Sequence, residues 1–184
     1  MATTVTAVSG TEREADVYDI CLTEIDGPEE GPFGQRFKFV WTYEDGDDKW
    51  AWMPAKWGSV NKPSMLRQAV YALIGGRLKN FLDEIIARDP GKIDLDWFIS
   101  WHARGALEEQ APKPGAPATE YPRMRFSAYQ FSREYRDEQQ AAFLKLCEDA
   151  LPPALYQSAL SKVGMAPAVA MAGSGSKKLA FDDL

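Results

Sequence analysis

From Asp16 the chain alternates. In "DVYDICLTEIDG", Tyr18, Ile20, Leu22 and Glu24 share one side, and Val17, Asp19, Cys21, Thr23 and Ile25 share the other. A period of two belongs to a β-strand. "DGPEEGPFG" follows and is made of turn-forming residues, so a loop is expected there. "QRFKFVWTY" is a second strand, with Phe37, Phe39, Trp41 and Tyr43 against Arg36, Lys38, Val40 and Thr42. "EDGDD" reads as a hairpin turn, and "KWAWMPAKW" resumes the alternation until Pro54 ends it or confines it to an edge. The period then lengthens. Ser64 can cap a helix whose apolar residues Met65, Leu66, Ala69, Val70, Leu73 and Ile74 recur at three and four, with Gly75 and Gly76 as its stop. "RLKNFLDEIIARDPG" gives a second helical piece. "IDLDWFISWHARGALEEQ" gives a turn and a fourth strand. "YPRMRFSAYQFS" gives a fifth, with Arg123, Arg125, Ser127, Tyr129 and Phe131 on one side. Beyond Ser132 the pattern is helical, broken at Pro152 and Pro153.

The order is β-β-β-α-β-β, which predicts a mainly β protein with helices. Its expected form is a five-stranded OB-fold-like barrel with the helical segment between strands three and four. An open α+β sheet packed on the same helices is the rival, because periodicity gives elements and not their pairing. Residues 1–15 are expected to be disordered, 16–132 to form the barrel domain, 133–165 a helical extension, and 166–184 a flexible tail. Residues 134–164 are open to two roles, packing on the barrel or self-association into a homo-oligomer.

Composition narrows the function classes. With 184 residues and 45% hydrophobic content, the chain can bury a core. A formal charge of −6 argues against coating nucleic acid by bulk attraction, though not against a local basic groove. Cys21 and Cys147 lie far apart with no metal-ligand spacing, as expected of reduced thiols in a cytoplasm. The N-terminal stretch lacks a signal-peptide pattern, and no run approaches the roughly 20 apolar residues of a membrane span. No membrane partner, metal or cofactor is expected.

Catalytic chemistry is thin. His102 is the one histidine and has no nucleophile or second base beside it in "SWHARG". "EDGDD" lacks the spacing of a calcium loop, and "LIGGRLKN" lacks a phosphate-loop pattern. No catalytic residues are expected. The six tryptophans, by contrast, are clustered: Trp41, Trp50, Trp52 and Trp57, then Trp97 and Trp101. A barrel of this type binds single strands by stacking bases on aromatic rings and holding phosphates with cations. The stacking candidates are Trp50, Trp52, Trp57, Tyr129 and Phe131; the phosphate candidates are Arg36, Lys38, Lys56, Arg104, Arg123 and Arg125. On the second strand the two sets must occupy opposite faces, so Phe37, Phe39 and Trp41 are assigned to the core. Trp50 and Trp52 are divided between core and platform, while Trp57 leans towards exposure.

The stretch "YDICLTEIDGPEEGPFGQRFKFVWTY", with "SMLRQAVYALIGG", "DLDWFISWHARG" and "YPRMRF", resembles a group of small phage-type OB-fold proteins associated with single-stranded DNA binding and with replication or recombination. The resemblance covers roughly residues 16–132 and implies single-stranded DNA as the partner, in the cytoplasm of a host cell if the gene is a phage's. The chain's end, "KKLAFDDL" on an Ala/Pro/Gly/Ser tether, is similar in design to the acidic tips of single-strand-binding proteins. By that resemblance Phe181, Asp182, Asp183 and Leu184 would recruit replication or recombination proteins. It carries two acids and ends Asp183–Leu184 in place of the usual Pro-Phe. A protein-interaction module of the same fold, such as a phage adaptor or an inhibitor of a host factor, is the alternative. A carbohydrate-binding β-protein is a weaker third, against which the missing signal peptide counts.

Overall fold

A computed structural model describes residues 13–59, 61–111, 114 and 123–165, with Pro90, Gln110, Arg123, Met124 and Tyr129 described in backbone alone. Five strands form one antiparallel sheet: β1 (Asp16–Gly31), β2 (Gly34–Tyr43), β3 (Asp48–Pro54), β4 (His102–Gln110) and β5 (Arg123–Phe131), in the order β3-β2-β1-β4-β5. The sheet is open, with β3 and β5 as its two edges; among the described residues no ladder joins them. Four α-helices accompany it: α1 (Met65–Ile74), α2 (Lys79–Arg88), α3 (Arg136–Ala150) and α4 (Pro153–Lys162). The expected strand count and the helical insertion after the third strand are present, but as an open mixed α/β sheet.

The local signals explain the helix ends. Ser64 caps α1, its hydroxyl accepting from the Arg67 amide at 3.1 Å. Gly75, at φ 76°, ends α1 in a conformation that favours glycine. Pro152 and Pro153 separate α3 from α4.

The first expectation to fall is the loop at residues 26–34. β1 runs for 16 residues through "DGPEEG" to Gly31, which pairs with Gly34 across a tight hairpin. Turn-forming residues are accommodated because the ladder is irregular: its register shifts between Leu22 and Glu24 and again between Asp26 and Glu29. Each extra residue moves every following side chain to the other face. Ile25, read by strict alternation with Asp19 and Cys21, therefore pairs with Phe39 and packs against the core. A third shift, between Arg104 and Gly105, falls opposite Tyr129 on β5. It puts Gln130 opposite Arg104 and turns Phe131 away from the side assigned to it, towards the helices.

The core lies between one face of the sheet and the helices. Ile20, Leu22, Phe39, Trp41, Met53, Ala103, Leu107, Phe126 and Ala128 line the sheet side. Leu66, Val70 and Leu73 cover it from α1, and Phe81, Leu82 and Ile85 on α2 with Phe143, Cys147, Tyr156 and Leu160 on α3 and α4 extend the same core. Of the two roles open to residues 134–164, packing is therefore seen. Among the described residues no helix is long and apolar enough to cross a membrane.

Candidate nucleic-acid interface

With one face of the sheet dry, the chemistry belongs to the other. Cross-strand register builds its first cluster. Arg36 pairs with Pro54, Lys38 with Trp52 and Val40 with Trp50, so β2 and β3 turn these side chains to the same side. Phe37, Phe39 and Trp41 point the other way, and Ala51 and Met53 join them. Trp50 and Trp52, divided by sequence between core and platform, are thus both on the open face. Trp50 is 56% exposed, and its ring meets that of Trp52 edge to face at 6.1 Å. Aromatics and cations do share a surface: the cations come from β2 and the rings from β3.

Arg36 sits over the Trp52 ring, its guanidinium carbon 3.8 Å from the ring centroid, a cation–π contact. Its Nε and Nη2 both donate to Oε1 of Glu29, at 3.0 and 2.7 Å. Lys38 donates to Asp26 at 3.4 Å. Lys56 is exposed just beyond β3.

Arg104 is on the same face but apart from this group. It pairs with Asp19, the two charges 3.8 Å from each other. The Asp19 row is seven residues along β1 from Asp26, about 20 Å away at the rise of a strand. Arg125 is exposed on β5 opposite Glu108. The side chains of Arg123 and Tyr129 lie outside the described residues, as do Phe181, Asp182, Asp183 and Leu184.

Trp57 is half-buried rather than exposed. Its indole N–H donates to Asp83 at 3.0 Å, and its ring packs edge to face on Tyr71. Asp83 also accepts from Arg67 at 2.5 Å and from the Tyr71 hydroxyl, which binds the loop after β3 to α1 and α2. Phe131 borders a cavity of about 590 Å³ with Gly76, Arg77, Arg136, Asp137 and Gln140, on the helical side of the sheet. His102 stacks on Tyr135 at 3.9 Å.

Sequence reasoning missed the carboxylates that face the cations and the bare ring of Phe33, fully exposed at the tip of the β1–β2 hairpin. The acids were visible as a recurrence along β1, but the register shifts hid which face each would take. Neither thiol is activated: burial pushes Cys147 up to about 12 and Cys21 upward from its ordinary value. Among the described residues no three metal-ligating side chains converge. No family model matches this chain, and a search of curated proteins returned no match.

Proposed function

We propose that this protein binds single-stranded DNA on the open face of its sheet, in replication, recombination or repair, and is not an enzyme. The observation that carries this reading is the bare Trp50 ring beside Trp52, with Arg36 and Lys38 on the neighbouring strand. Rings for bases and cations for phosphates on one surface are what a single strand needs. The strand order, with helices inserted between β3 and β4, supports an OB-type barrel opened between β3 and β5. Phe181, Asp182, Asp183 and Leu184 would then recruit replication or recombination proteins; Phe181→Ala should abolish that recruitment and leave the fold unchanged.

The test is fluorescence anisotropy of a labelled oligo-dT across a salt series. Affinity should fall steeply with salt, and Trp50→Ala should weaken it about tenfold, in line with roughly 1–3 kcal/mol for a base–aromatic stack. Absence of binding at low salt would sink the reading. One observation favours a second reading, a protein-interaction module: Arg36, Lys38 and Arg104 each already face a carboxylate. A mixed-charge face with exposed aromatics also suits a protein partner, and that reading predicts no salt-dependent affinity for oligo-dT.

A further inference from the structure

Three cations on the open face meet three carboxylates, and all three carboxylates come from β1. Asp26 and Glu29 are the direct cross-strand partners of Lys38 and Arg36, and Asp19 is that of Arg104. Strict alternation would put Asp26 and Glu29, three residues apart, on opposite faces. The register shift at Gly27–Pro28 brings them to the same one. The consequence is sharpest at Glu29. It holds both the Nε and an Nη of Arg36, and Arg36 in turn covers the face of Trp52. A base cannot stack on that face while the guanidinium occupies it.

We infer that Glu29 and Arg36 form a latch over Trp52, which single-stranded DNA opens by drawing the guanidinium from the Glu29 carboxylate onto a phosphate. This rests on the reading of the open face as a DNA-binding surface. The exchange substitutes one anion for another on the same cation, so no net charge is created at Arg36. The released carboxylate takes up cations from solution and offsets part of the counterion release that drives binding. Affinity and salt dependence are therefore both held down by the protein's own acid.

Glu29→Gln tests this, with Glu30→Gln as control. Glu30 pairs with Gln35, one position along, and so belongs to the opposite face; its replacement changes net charge equally without touching Arg36. Oligo-dT affinity is measured for the full-length chain and both variants from low to moderate salt, with thermal melts to verify folding. Glu29→Gln should bind about two- to fivefold tighter, the range set by exposed ion pairs. Its slope of log affinity against log salt should steepen by up to about 0.7, one phosphate's share on a single strand. Glu30→Gln should follow the unmodified protein. Equal tightening by both variants would mean a general charge effect and overturn the latch. Unchanged or weaker binding by Glu29→Gln would also overturn it while leaving the DNA-binding reading intact, provided the unmodified protein binds. If none of the three binds at low salt, the DNA-binding reading fails and the latch falls with it.

Discussion

Asp83 carries more structural connections than its place on α2 suggests. It accepts from the Trp57 indole, the Tyr71 hydroxyl and the Arg67 guanidinium, and Arg67 is 3% exposed. Removing its charge leaves a buried guanidinium without its counter-ion, a change that costs about 3–5 kcal/mol for a fully buried pair. Because Asp83 itself is partly exposed, Asp83→Asn should cost less, about 2–3 kcal/mol by urea denaturation. The same cluster predicts an alkaline limit. Burial, and donation to the Asp83 carboxylate, push the Tyr71 hydroxyl up to about 12 from its ordinary 10. A folded-state value above the unfolded one means that the neutral hydroxyl is favoured by folding. Its stabilisation is complete below about pH 10 and is lost as pH rises towards 12. Tyr71→Phe should flatten stability over that window, and an unchanged alkaline decline would disprove the assignment.

At the scale of elements, much was readable from alternation. The five strands, the Ser64 cap, the Gly75 stop and the break at Pro152 all follow from local chemistry. What alternation cannot read is a residue inserted into a ladder, because the insertion is decided by the partner strand. The shift after Leu22 carries Ile25 to the core, the one at Gly27–Pro28 brings Glu29 to the face of Arg36, and the one opposite Tyr129 turns Phe131 to the helices. Hence sequence marks Trp50 and Trp52 as candidates, but only register with Val40 and Lys38 decides their face. Trp57 misled for a related reason: its partner Asp83 lies 26 positions away, where local sequence gives no hint of it. Gly105 shows how tightly the dry face is fitted. A methyl group there would meet the Phe126 ring at 2.7 Å and Ile20 Cδ1 at 2.8 Å, both part of the buried core. Gly105→Ala should therefore destabilise by about 1–3 kcal/mol, as overpacking does. The urea midpoint should fall without a change in slope; a midpoint equal to that of the unmodified protein would contradict this packing account.

At the scale of the molecule, the core draws on helices from both halves of the chain. Phe81 on α2 meets Phe143 on α3 and Tyr156 on α4 edge to face, and Phe98 stacks on Phe143 at 5.8 Å. Gln139, buried on α3, accepts from the His102 amide and donates to the carbonyls of Leu73 and His102, tying β4 to α1 through one buried side chain. A chain ending at Ser132 would lose Phe143, Cys147, Leu151, Tyr156, Ala159 and Leu160 from one core. Loss of a buried Phe side chain alone costs about 3–5 kcal/mol, and a whole domain is stable by only about 5–15 kcal/mol. Truncation should therefore abolish cooperative unfolding, with exposed Phe81 and Phe98 promoting aggregation, while the full chain melts in one transition by calorimetry. A sharp transition in the truncated chain, within a few degrees of the full one, would show that strands β1–β5 with α1 and α2 are self-sufficient. On the packing described, they are not: α3 and α4 complete the core that α1 and α2 begin, and α1 is the helix that packs on the sheet carrying Trp50 and Trp52.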